Sequence, residues 1–320
     1  MIILLVPELE ALLSEVDSAP RLLSRLLARG SSRALDSNAY LAELVTDQAV
    51  GPAAIARHHD RPEDASGCWL FADPVMLQPD LNAVWIQPHR FEPSDQPAVA
   101  ELQALLAESG ADFELIRPDR AYVGVKRSPT VEFTPPWGVA GRSMDHVLPA
   151  GRDAGQWIRI LNECQMLLHQ HAGQAPQTPA GLWFWGSGSL PETRPDARVS
   201  HLIGIEDGLK ELAGWLELSH APEESGTPDA SLRVWSPEPG HDARQALEHL
   251  DDLIRPLWRR LLIGSIDALE LASRRTVHRL ARRDAWQFAL RHEGERDGQP
   301  REDVGLGRAA EPRQQVETGD

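Results

Sequence analysis

The chain has 320 residues, 42% of them hydrophobic, enough to bury a substantial core in one large or two ordinary domains. Its formal net charge of −16 and pI near 5.2 argue against nucleic acid and against anionic membrane as partners, because both would repel such a surface. Cys68 and Cys164 lie far apart and outside CxxC or Cys/His metal spacing, so neither a disulfide framework nor a zinc module is expected, and a reducing cytoplasm fits.

The N-terminal apolar run Ile2 to Val6, ended by Pro7, lacks a basic leader and is far shorter than the roughly 20 residues that span a bilayer. It predicts a strand buried on both faces of a parallel sheet. Leu9, Leu12, Leu13 and Val16 recur at helical spacing, and helical stretches follow at Leu22 to Leu27 and Tyr40 to Val45. Between Gly51 and Gly67 the composition turns to Ala, Arg, His, Asp and Pro, which predicts a linker or long loop. Cys68 to Phe71 and Ala83 to Ile86 read as strands separated by Pro and Asp turn residues. Pro97 to Ser109 is an amphipathic helix, and strands are expected at Phe113 to Ile116 and Ala121 to Val125, around the turn Arg117-Pro118-Asp119.

After Pro135-Pro136 a long helix is predicted from Ala154 to His171, with Trp157, Ile160, Leu161, Cys164, Leu167 and Leu168 as its apolar stripe. Gly181 to Gly188 is a strand running into a glycine-bearing loop. A strand at Val199 to Ile205, a helix at Asp207 to Leu218, a strand at Leu232 to Trp235 and a helix at Ala243 to Leu262 complete an alternation that signals a doubly wound sheet. Trp183 and Trp185 share one strand parity, and Leu182 and Phe184 share the other, so both faces are apolar. That pattern predicts a central strand covered by the helices at Ala154 to His171 and Asp207 to Leu218. From about Arg291 onward there is almost nothing to bury, and disorder is expected.

Three groups of residues could carry chemistry. Gly186, Ser187, Gly188 and Ser189 follow a strand, and glycines there could turn backbone N–H groups toward an anion; the competing reading is a structural turn under two tryptophans. The segment is neither a P-loop nor a GxSxG elbow. His241 beside Asp242 follows a strand, where ligands bind in α/β proteins, although Asp242 also reads as a helix N-cap. Arg274, Arg275, Arg279, Arg282 and Arg283 form a basic stretch on an acidic background, expected to spread around a helix as a solvated face or a docking face.

Several segments, in order, resemble the RpfE-type regulatory proteins of bacteria, themselves similar to cofactor-independent phosphoglycerate mutases of the alkaline phosphatase superfamily. They are Ile3 to Pro7, Phe133-Thr134-Pro135-Pro136-Trp137-Gly138, Leu148 to Gly151, Leu182 to Pro191, His201 to Lys210 and Val234 to His241. The resemblance implies an α/β fold: a three-layer α/β/α alkaline-phosphatase-like core with an inserted smaller α/β domain. The corresponding division is 1–62 for the first part of the core, 63–135 for the insertion and 136–290 for the second part, with an acidic tail at 291–320.

Such mutases hold two divalent metals, which activate the attacking group and neutralise the transferred phosphoryl charge. Here Pro7-Glu8 stands in place of the strand-one aspartate, Pro237 in place of a metal-binding aspartate, and Trp69 and Val123 where clamp arginines are expected. The resemblance therefore implies a pseudoenzyme: a regulatory or binding protein that needs no cofactor and takes a small anion or a protein partner. The alternative is an active phosphotransferase or phosphatase with a reorganised manganese or zinc site, built around His241, Asp242 and the Ser187 to Ser189 loop, with oxygen ligands from Glu8, Glu206 and Asp207 if the strand ends converge.

Overall fold

The computed structural model describes residues 1–63, 66–79, 84–139, 142, 146–173, 177–223 and 226–285. The expected tail at 291–320 lies outside them. In chain order the elements are β1 (Ile2–Leu5), α1 (Leu9–Ser14), α2 (Arg21–Arg29), β2 (Ser31–Ala34), α3 (Tyr40–Thr46) and α4 (Pro52–Asp60). Then come β3 (Cys68–Pro79), β4 (Val84–Pro88), α5 (Gln96–Glu108), β5 (Ala111–Arg117), β6 (Arg120–Val125), β7 (Val131–Glu132), β8 (Ala150–Gly151), α6 (Ala154–Ala172) and β9 (Gly181–Gly188). The chain closes with β10 (His201–Ile203), α7 (Leu209–Leu216), β11 (Ser219–Ala221), β12 (Ser231–Val234), α8 (Ala243–Ile263), β13 (Ala268–Ala272) and β14 (Thr276–Ala281).

The fold is mixed α/β and has two main sheets. The first runs β11-β10-β12-β1-β13-β14-β2, with β11 through β13 parallel and β14 and β2 antiparallel at one edge. As the apolar run predicts, β1 lies between β12 and β13 and is buried along its whole length. Its side chains alternate: Ile2 and Leu4 pack with Leu23 of α2 and Leu247 and Leu250 of α8, while Ile3 and Leu5 pack with Leu44 of α3 and Leu212 of α7. Inside the first of these layers the Leu23 N–H donates to Asp251 Oδ1 at 2.8 Å, which ties α2 to α8.

The second sheet, β4-β3-β6-β5 with β9 against the other side of β3, is antiparallel. Here the expectation of a central tryptophan strand is corrected. β9 is buried on both faces, but it pairs antiparallel with β3 alone among the described strands. Sequence pattern reports burial, and this strand is buried by covering elements rather than by neighbouring strands. Trp157 of α6 packs on Phe184 at 5.2 Å between ring centroids, as expected. The opposite face, that of Trp183 and Trp185, is covered by α4 and not by the helix at Asp207 to Leu218. Sheet membership also crosses the expected division at 135, since β9 joins strands drawn from 68–125.

Two further corrections follow. The expected linker at Gly51 to Gly67 contains α4, which is buried between the two sheets: Ile55 belongs to the core of the first, and Ala53 and Ala56 to that of the second. Small residues suit a helix pressed from two sides, and Pro52 opens it at the first turn. The basic stretch is helical only from Arg282, because Thr276 to Ala281 forms β14, paired antiparallel to β13 from Ala272↔Val277 to Ala268↔Ala281. Arginine is compatible with a helix, but strand pairing overrides local propensity.

Candidate functional site

The two sheets meet around a cavity of about 260 Å³. Its walls come from α3 and the start of α7 on one side, with Tyr40, Leu41, Asp207 and Leu212, and from β3, β6 and β9 on the other, with Phe71, Asp73, Arg120 and Trp185. β3 explains the opening. It pairs with β6 at Cys68 to Phe71 and with β4 from Val75 onward, so residues 72–74 have no strand partner on that side among the described residues, and only the Pro74 carbonyl is met there, by the His89 backbone N–H at 2.9 Å. Pro74, which has no N–H to offer a ladder, falls in this gap, and Asp73 beside it faces the cavity.

The cavity is lined with aromatic rings. Phe71 and Trp185, paired across β3 and β9, stack at 4.5 Å between centroids. Trp137 meets Trp185 edge-on at 5.0 Å and Tyr40 edge-on at 5.8 Å. Asp73 accepts a hydrogen bond from Trp185 Nε1 at 2.6 Å, and its other oxygen has no hydrogen-bond partner among the described residues. Burial pushes the Asp73 carboxyl up to about 6, against the Trp185 hydrogen bond and the Arg120 charge, and Asp207 and Asp119 push the same way as burial. Arg120 is itself engaged: it donates to Glu211 at 2.9 Å, lies 4.0 Å from Asp60 and covers Phe71 at 5.7 Å.

Next to Trp137, the carboxyl ends of three parallel strands bring charged groups together: Glu8 after β1, Glu206 after β10 and Arg274 after β13. Arg274 Nη1 donates to Glu8 at 2.9 Å, its Nε and Nη2 reach Glu206 at 2.8 Å, and its guanidinium lies 5.0 Å over the Trp137 ring. The Tyr40 hydroxyl donates to the same Glu206 oxygen. Burial, then the Glu206 charge, lifts the Tyr40 pKa far above the usual phenol range. Burial works against the Arg274 charge, but Glu206 and Tyr40 outweigh it and raise its pKa. Glu8 and Glu206 do converge, as a cation site would require. The cation between them is a guanidinium.

The other candidates are dispersed. The Gly186 N–H donates to Asn38 Oδ1 at 3.3 Å, and Gly186 takes a left-handed φ of +67°. Gly188 crosses the start of α4: a Cβ on Gly188 would lie 2.8 Å from Gly51 Cα. These glycines therefore have a packing reason of their own. Ser187 and Arg275 line a second, more open cavity with Asn38, Arg142 and His146, while Ser189 is exposed. Asp242 caps α8, accepting from the Gln245 N–H at 2.8 Å in a capping box. His241 packs edge-on against His249 at 4.7 Å. Among the described residues, no group of three or more His, Cys, Asp or Glu is placed to hold a metal ion.

The arginines of the basic stretch do not share a helical face. Arg274 and Arg279 turn to carboxylates, the latter to Glu270 at 2.9 Å, Arg275 lines the second cavity, Arg282 packs over Gly264 at the end of α8, and Arg283 is exposed beside Asp284. Sequence reasoning did not single out Asp73, Tyr40 or Arg120. The available signal for Asp73 was an acidic residue two positions from a buried aromatic, Phe71, on the same strand parity, and Asp-Pro concealed it by reading as a turn. Cys68 and Cys164 are free and buried, and among the described residues no helix is long and apolar enough to cross a membrane.

No protein-family model matches the chain, and no curated protein matches it. Among solved structures, the cofactor-independent phosphoglycerate mutase from Thermoplasma acidophilum DSM 1728 is similar with a TM-score of 0.37 and 12% identity, over 88% of this chain and 89% of that one. The PH0037 protein from Pyrococcus horikoshii is similar with a TM-score of 0.34 and 10% identity, over 88% of this chain and 87% of that one.

Proposed function

We propose that the chain is a non-catalytic binding protein of the RpfE-type regulatory kind, on a degenerate scaffold like that of phosphoglycerate mutases. One observation carries this reading: Arg274 spans Glu8 and Glu206 at the carboxyl ends of the parallel strands. A two-metal phosphoryl-transfer site needs carboxylate and histidine ligands free to converge on a divalent ion at roughly 2.0–2.6 Å. Two of the oxygen donors available here are instead neutralised by a half-buried guanidinium with a raised pKa. His241 is packed on His249, and Asp242 is committed to its helix cap. These residues do not fit a pair of divalent metals.

In this reading a small anion would bind beside Ser187 and Arg275, and the cavity between the sheets would hold a separate organic ligand. Calorimetric titration of the full chain with Mn²⁺ and with Zn²⁺ tests the reading. Weak or no binding is expected; tight uptake of two ions per chain would overturn it and favour a reorganised phosphotransferase or phosphatase site.

A further inference from the structure

The cavity between the sheets has a chemical bias of its own. Its rings present π faces and edges from Tyr40, Phe71, Trp137 and Trp185. Its carboxylates are Asp73 on β3, Asp119 in the turn before β6 and Asp207 before α7. Against these stand two basic groups. Arg120 is held by Glu211 at 2.9 Å with Asp60 at 4.0 Å, and His89 Nε2 contacts the Gln177 carbonyl at 2.7 Å. An anion would therefore compete with Glu211 for Arg120 while facing three carboxylates. A cation would meet aromatic rings and a carboxyl oxygen of Asp73 that has no hydrogen-bond partner among the described residues.

We propose that this cavity binds a small organic cation, a protonated amine carried on one or two rings, with its ammonium group against Asp73 and its ring among the aromatic side chains. The volume, about 260 Å³, falls just below the roughly 300–1,000 Å³ of drug-sized pockets and suits a ligand of that size. Trp185 holds one oxygen of Asp73 and so orients the other, which adds direction to an otherwise apolar contact. The inference rests on the non-catalytic binding reading but concerns a different set of residues from the Arg274 cluster.

Charge on Asp73 makes the binding pH-dependent. Its carboxyl ionises near 6, so affinity for a cation rises as pH passes upward through that value. The charged and titratable groups that line the cavity with it are Arg120 on β6, Asp119, Asp207, Tyr40 on α3 and His89, whose backbone N–H donates to the neighbouring Pro74 carbonyl at 2.9 Å. The Asp73 contribution is isolated by substitution rather than by pH alone.

The experiment compares benzylammonium, benzyl alcohol and benzoate on the full chain at pH 8, by calorimetry and tryptophan fluorescence. Benzylammonium is expected to bind about tenfold more tightly than benzyl alcohol, with benzoate weakest. Asp73→Asn keeps an oxygen acceptor for Trp185, and it should erase the preference for the cation while leaving benzyl alcohol unchanged. Asp207→Asn, at an exposed position, should weaken benzylammonium a few-fold without altering the fold. Benzoate binding as tightly as benzylammonium, a preference that survives Asp73→Asn, or no binding of any of the three would each overturn the inference. The metal titration stands apart from all three outcomes.

Discussion

Two carboxylates stand on either side of Trp137 and meet opposite fates. Glu206 receives the Tyr40 hydroxyl and the Arg274 guanidinium and is almost fully enclosed. Asp73 receives one indole N–H and otherwise faces a cavity. Both groups are shielded from water, so enclosure does not separate them. The number of donors does: a carboxylate supplied with donors by its own protein is structural, whereas one left an open oxygen can meet a ligand.

The sharpest break of this comparison is Trp185→Ala, which removes the ring between the two groups. It deletes the stack on Phe71, the edge contact with Trp137 and the hydrogen bond to Asp73. A cost of about 3–5 kcal/mol is expected in urea unfolding, and a variant that unfolds like the wild type would place β9 outside the core. Arg274→Ala acts on the other side, leaving Glu8 and Glu206 without their cation. It should cost about 3 kcal/mol, and Mn²⁺ should then raise the melting temperature of the variant but not that of the wild type.

Asp73→Asn tests the open carboxylate through pH. The folded chain holds the Asp73 proton up to about 6, above the unfolded value of 3.8, so this group adds stability below pH 3.8 that is lost as pH rises through 6. The asparagine variant has no such loss. It should match the wild type near pH 3.5 and exceed it by on the order of 2–3 kcal/mol at pH 8, read from denaturant unfolding at both values. The smallest effect is expected from Ser187→Ala, within about 0.5 kcal/mol, because the side chain lines a cavity and supports no core contact. Melts with and without phosphate would show whether that position matters to an anion.

Parts of this site were legible in the residues. The sequence marks Glu8, Glu206 and Asp207 as oxygen donors that converge if the strand ends meet, and Glu8 and Glu206 do meet through Arg274. The arginine itself falls in a run that reads as a solvated helix, because six basic residues in ten positions look like a surface when no partner is visible. Asp73 was hidden for the opposite reason: with Pro74 it imitates a turn, although β3 runs straight through both.

Periodicity alone located β1, α2, α5, α6 and α8, because each buries one stripe or both faces of its own residues and so writes its surroundings into its spacing. It also made β9 apolar on both faces and pointed to helical cover, without revealing that β9 pairs with β3 alone among the described strands or that α4 supplies one of the covers. The positions of α4, β14 and the cavity were decided by tertiary structure. α4 is small and mixed in composition since it fits between two cores, β14 is a strand through its pairing with β13, and the cavity exists where β3 changes partners. The pairing of β14 with β2, the packing of α4 on β9 and the pairing of β3 with β6 join residues tens to hundreds of positions apart, and a local window of sequence carries no record of them.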